Sequence, residues 1–147
     1  MTDPSYPAHP EVSLATAQAL VAAACVEAVQ QGIAVSVVVA DRAGELVAAA
    51  RMDGAPLGCL RLAADKAYTA AVWRMPSGDL RLSSQPGGDD WGITSTADGR
   101  IVVYDGGLPL LVEGDLAGAI GVSGGTGAQD LACARAAVTA GPAGTPG

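Results

Sequence analysis

Apolar and polar positions fall into two periods along the chain. Between Ser13 and about Gln31, the residues Leu14, Val21, Cys25, Ala28 and Val29 recur on one side at 3.6-residue spacing, which predicts a helix capped by Ser13 and stopped by Gly32. The run IAVSVVVA (33–40) is β-branched and apolar on both faces. A turn at Asp41-Arg42-Ala43-Gly44 and the run ELVAAAR (45–51) complete an antiparallel hairpin with a buried first strand. Past Met52-Asp53-Gly54-Ala55-Pro56 a second helix is predicted from about Leu57 to Met75, then a short helical turn near Asp79-Leu80 that Ser77 can cap. Gly87-Gly88-Asp89-Asp90 breaks the chain. IVVY (101–104), LPLLV (108–112) and DLAGAIGV (115–122) then read as three short strands, the last two joined by a tight turn at Glu113-Gly114. Thr126 and Gln129 fit a T-x-x-Q capping box that opens a last helix through Leu131, Cys133, Ala134 and Val138.

The predicted order is α-β-β-α-β-β-β-α. Its β-β joins are too short for parallel crossovers, so the expectation is an α+β fold with an antiparallel sheet of about five strands and flanking helices. The 147 residues suit a single domain, set at 13–140. Pro4, Pro7 and Pro10 mark 1–12 as a flexible lead, and GPAGTPG (141–147) as a flexible tail.

Composition narrows the chemistry. Half of the residues are hydrophobic, yet there is no Phe and only two Trp and three Tyr, so the core must close through small side chains. A net charge of -7 without any basic cluster argues against nucleic acid as a partner. No apolar run approaches the ~20 residues of a membrane span, and MTDPSYPAHP lacks a basic segment followed by an apolar one. A cytoplasmic chain without membrane association is the expectation. Cys25, Cys59 and Cys133 lie far apart and form no C-x-x-C pair, so they read as small buried hydrophobes rather than as disulfides or metal ligands. The one histidine, His9, lies in the lead, which leaves no Ser-His-Asp or Cys-His arrangement in the body and no metal cluster.

The chain has one lysine, Lys66, in the second helix. On a helical wheel Leu57, Leu60, Ala64, Ala67, Ala71 and Met75 gather on one arc, taken as the core face. Lys66 lies opposite among Cys59, Leu62, Ala63, Ala70 and Trp73, so the helix has a second apolar face with a cation in it. Either its ammonium snorkels from a subunit interface, or this face lines a pocket where it binds an anion or acts as acid, base or nucleophile.

Other stretches are compatible with binding. SGGTGAQD (123–130) ends a strand and opens a helix, so the backbone around Ser123, Gly124 and Gly125 can meet a carboxylate or phosphate, though most such turns are only turns. In YDGGLPLL (104–111), Gly107 and Pro109 interrupt a strand and mark an edge or bulge open to a ligand or another chain. Asp41, Asp53, Asp105 and Asp130 stand at element ends, where a carboxylate is also an ordinary turn residue. Arg51, close to Asp53, can form an ion pair or an anion clamp.

Taken together, VVVADRAGELVAAARMDGA (37–55), DKAYTAAVW (65–73) and GGLPLLVEGDLAGAIGVSGGTGAQD (106–130) resemble the GlcG/HbpS-like family of haem-degrading domains, which includes the C-terminal domain of PduO-type corrinoid adenosyltransferases. The resemblance implies a profilin-like or PAS-like fold and assembly into dimers or larger homo-oligomers. It admits haem, another tetrapyrrole or a smaller planar anion as ligand. No cofactor is certain, because the folded body holds no histidine for an iron, only Cys, Met and Tyr.

Three functions follow. In a ligand-binding module, Lys66 and the 123–127 backbone meet carboxylates while Trp73 or Trp91 stacks on the ring. In a cofactor-independent isomerase or lyase for a small carbonyl or aromatic acid, Lys66 shares acid and base roles with Asp53 or Asp130. In an oligomeric scaffold, both apolar faces of the helix are structural.

Overall fold

Val37 and Val39 turn to one side of the first strand, Val38 and Ala40 to the other, and all four are buried. That strand therefore lies inside a sheet covered on both faces. The computed structural model describes residues 3–141. Its elements are α1 (Leu14–Gln30), β1 (Ser36–Ala40), β2 (Leu46–Arg51), α2 (Cys59–Trp73), β3 (Gly107–Val112), β4 (Asp115–Ser123) and α3 (Gly127–Ala140). The strands form one antiparallel sheet in the order β2-β1-β4-β3. Helices α1 and α3 pack on one face over Val37, Val39, Leu108, Leu110, Ile120 and Val122. On the other face α2 sets Ala63, Ala67, Ala70 and Ala71 against Val38, Ala40 and Ala119.

The fold is α+β, with four strands where five were expected. IVVY (101–104) is not a strand. The N–H of Val102 donates to Thr69 Oγ1 at 3.0 Å instead of to a neighbouring strand, and Ile101 packs with Leu80 and Ile93 in a satellite cluster. The apolar run thus belongs to a small core of its own, between three short 3₁₀ turns. Ser77 does not cap the first of these turns. Its hydroxyl donates to the carbonyl of Tyr104 and accepts the N–H of Gly107 at 2.9 Å, tying the turn to β3.

Capping and turn chemistry appear as expected at several ends. Ser13 accepts the N–H of Thr16, and the Thr126/Gln129 box is closed in both directions. Glu113 and Gly114 both have positive φ, the geometry of the tightest hairpin turns. Pro109 lies on the edge strand β3, where a missing N–H breaks no ladder on the open side, and the register shifts just after it between Leu110 and Leu111.

The helix faces differ from the expected ones. In α1 the buried set is Ala17, Leu20, Val21, Ala24 and Ala28, with Leu14 and Val29 exposed. In α2, Leu57 precedes the helix and is exposed, as is Leu60, while Ala63, Lys66, Ala67 and Ala70 are buried. Lys66 is on the face pressed to the sheet rather than on a second face. Backbone approach explains the shift in α2. A Cβ at Gly121 of β4 would collide with the Ala63 carbonyl and come within 2.6 Å of the Ala67 nitrogen, and one at Gly107 would collide with the Lys66 carbonyl. Glycine in the strand and alanine in the helix bring α2 closer to the sheet than leucines would allow.

The segment before α1 makes contacts with the sheet over its last residues. The N–H of Val12 donates to Ala117 O at 2.9 Å, and His9 Nδ1 lies 3.0 Å from Asp115 Oδ2. The tail expected to be flexible lies outside the described residues from 142 onward.

Candidate functional site

Lys66 is 2% exposed. A buried ammonium requires a counter-charge and hydrogen-bond acceptors, and the fold supplies both. Nζ donates to Asp130 Oδ2 at 2.9 Å and to the carbonyl of Val122 at 2.9 Å. Asp130, also buried, stands in the first turn of α3, where the capping box fixes the helix start, and its Oδ1 accepts the N–H of Gly125 at 2.8 Å. The pair therefore joins α2 on one face of the sheet to α3 on the other, around the sheet's end. Gly106 makes the passage: a side chain there would come within 2.9 Å of Lys66 Nζ and 3.1 Å of Asp130 Cβ.

A cleft of about 710 Å³ opens above this pair. Its floor is Lys66, Asp130 and Ser123, and its walls include Leu62 and Cys59 of α2 and the 103–104 segment. Gly124, Gly125 and Gly127 bound one side. At the rim stand Gln85 and an exposed pair in which Arg81 Nη2 lies 2.9 Å from Asp105 Oδ2. Ser123 is 2% exposed and borders the cleft, and its hydroxyl makes no hydrogen bond among the described residues. Its cross-strand neighbour Ser36 is wholly buried and its hydroxyl is likewise without a partner.

The structure gathers Lys66, Asp130, Ser123, Gly124 and Gly125 at this cleft and leaves the other candidates elsewhere. Trp73 and Trp91 are exposed and form no part of its walls. Gly107 lies under α2 and Pro109 pairs with Ala119, both away from the cleft lining. Arg51 and Asp53 are exposed and form no ion pair with each other. Arg51 instead borders a second, smaller groove with Leu46, Leu57 and Leu60. Of the two acids considered beside Lys66, Asp130 is the one that touches it.

Several cleft residues lacked a sequence signal. Arg81 and Gln85 come from a stretch without regular periodicity, Val103 and Tyr104 were read only as part of a strand, and Asp105 was visible only as a turn carboxylate. Among the cysteines, Cys59 borders the cleft, while burial pushes the Cys25 thiol up and that of Cys133 up to about 11. Among the described residues no group of three His, Cys, Asp or Glu could hold a metal ion. Among the described residues no helix is long and apolar enough to cross a membrane.

Known proteins of the same build were found by sequence and by shape. Residues 12–139 match the model of a family described as "Haem degrading protein HbpS-like". An uncharacterised 15.0 kDa protein of the dhaT-dhaS intergenic region of Citrobacter freundii is 35% identical over 86% of this chain and 89% of its own length. The corrinoid adenosyltransferase PduO of Salmonella typhimurium is 36% identical over 80% of this chain, which spans about a third (35%) of that protein. The crystal structure of Klebsiella pneumoniae ORFY superposes with a TM-score of 0.89 at 32% identity, covering 95% of each chain. That of a PduOC–haem complex superposes at 0.87 and 33% identity, covering 93% of this chain and 99% of the other. The overall fold is thus shared with these structures, and the chain belongs to the HbpS-like family.

Proposed function

We propose that this chain is a small-ligand-binding domain whose ligand sits in the cleft over Lys66 and Asp130, with haem or another tetrapyrrole as the first class and a smaller planar anion as the second. The cleft itself carries the proposal. Its volume of about 710 Å³ lies within the range of small-molecule sites, and apolar walls there meet a few buried polar groups. The family match and the haem held by PduOC support the tetrapyrrole class.

The cleft lining offers side-chain types other than histidine for a haem iron. His9 is bound to Asp115, the first residue of β4, while the cleft lies at Ser123, its last, ~26 Å along an extended strand. Within the cleft the thiol of Cys59 and the phenol of Tyr104 are side-chain types that hold haem iron elsewhere, and Arg81 is placed for a carboxylate. When bound, haem would supply a redox-active iron. Titration of the protein with haemin tests this: a shifted Soret band that changes in Cys59→Ala or Tyr104→Phe is expected. An unshifted band at micromolar protein eliminates the haem class.

The contact between Lys66 and Asp130 at the cleft floor favours a second function, acid–base catalysis on a small carbonyl or aromatic acid. Unchanged turnover in Lys66→Met would dismiss it. Self-association into a dimer or larger homo-oligomer is proposed at the groove beside Leu46 and Leu57, which are 66% and 83% exposed. A monomer by native mass spectrometry would remove it.

A further inference from the structure

The floor of the cleft holds two unspent hydrogen-bonding groups on side chains that are each 2% exposed. The Lys66 ammonium has three N–H donors, and Asp130 and the Val122 carbonyl take two. Among the described residues the Ser123 hydroxyl has no hydrogen-bond partner, and both residues border the same space. The charge of Lys66, however, is already balanced by Asp130 at 2.9 Å. A carboxylate brought to this floor would add an uncompensated buried negative charge beside Asp130, whereas a carbonyl or hydroxyl oxygen would complete the hydrogen bonding without changing the charge.

The rim differs. Arg81 and Asp105 are 49% and 33% exposed in their side chains, so their pairing is weak and a ligand carboxylate can take the place of Asp105 on the guanidinium. Asp105, the partner of Arg81, adjoins Gly106, the residue over which Lys66 reaches Asp130.

We infer that the cleft is polarised: its floor, Lys66 and Ser123, receives a neutral carbonyl or hydroxyl oxygen, and its rim, Arg81, receives the ligand's carboxylate. This polarity specifies the second of the two proposed classes, the smaller planar anion, as a planar oxo- or hydroxy-carboxylic acid whose apolar body runs along Leu62 and Val103. This rests on the proposal that the cleft is the ligand site and specifies its two ends.

Three small probes separate the ends: 4-hydroxybenzoate has the neutral oxygen, benzoate lacks it, and terephthalate carries a charge in its place. Their affinities are read from amide shifts of Ser123, Gly124 and Gly125 in the full chain and in Ser123→Ala, with the dispersion of the remaining amides as the check of folding. 4-Hydroxybenzoate is expected to bind about tenfold tighter than either other probe, and Ser123→Ala to bring it down to the level of benzoate. Terephthalate binding as tightly as 4-hydroxybenzoate, or a preference that survives Ser123→Ala, overturns the inference. If no probe perturbs these amides while haemin does, the polarised floor is refuted and the cleft proposal stands; if haemin also leaves them unmoved, both fall.

Discussion

At Lys66, the chemistry of one side chain depends on a residue 64 positions away. An ammonium held at 2% exposure is stable only because Asp130 and the Val122 carbonyl face it. Asp130→Ala removes the counter-charge and leaves the ammonium buried, so it should lower unfolding free energy by ~3–5 kcal/mol in urea denaturation. Replacing both partners with apolar residues, Lys66→Met with Asp130→Leu, should cost clearly less, since no charge is then stranded. If the double variant is as unstable as Asp130→Ala, the pair is not what makes the single change expensive. From the sequence, Lys66 was conspicuous as a lone cation among apolar neighbours, and Asp130 was legible as a first-turn carboxylate. Nothing in their spacing could pair them, because the contact passes around the end of a sheet and over Gly106.

At the level of elements, local chemistry was the most legible part. The Ser13 cap, the Thr126/Gln129 box and the Glu113-Gly114 turn follow from short-range hydrogen bonding and backbone sterics, and the structure has them all. The faces of α2 were not legible in the same way. A helical wheel weights leucine over alanine, but α2 approaches a strand whose Gly121 offers no side chain, and at that distance only alanines fit. Gly121→Ala should therefore destabilise by ~1–3 kcal/mol or more, measured by denaturant unfolding, because the atoms it meets are helix backbone that cannot rotate away. A neutral effect would show that α2 is free to lift from β4. The misplaced strand at 101–104 has a similar cause: four β-prone residues fit a strand in isolation, but Thr69 takes the N–H of Val102 and a satellite core takes Ile101.

Across the whole molecule, the segment before α1 is fastened to the start of β4 through His9 and Asp115, with Arg42 adding a second contact to the same carboxylate. The hydrogen bond from His9, helped by Arg42, holds the Asp115 carboxyl below its ordinary 3.8 despite a smaller opposing effect of desolvation. A depressed carboxyl stabilises the fold fully above its unfolded value and loses that contribution as pH falls through the lower folded one. Asp115→Asn should consequently be less stable than the parent at neutral pH, with the gap closing in acid, below about pH 3.8. Thermal melts of the two proteins across that range check it, and a gap independent of pH would show that the carboxylate's charge plays no part.

By itself the sequence determined what depends on neighbours a few residues apart: the caps, the hairpin turns, the α+β class, and a core of small side chains in a chain of 147 residues with no Phe. Its longer segments also carried enough of the family's pattern to place the chain among its relatives. The tertiary structure alone decided which helix face is buried, that the sheet stops at four strands, and that Lys66, Asp130 and Ser123 meet beneath one cleft while Trp73, Trp91 and Arg51 stand apart from it. Those outcomes turn on how closely backbones approach and on which charges become enclosed together, and both are properties of residues distant in the chain.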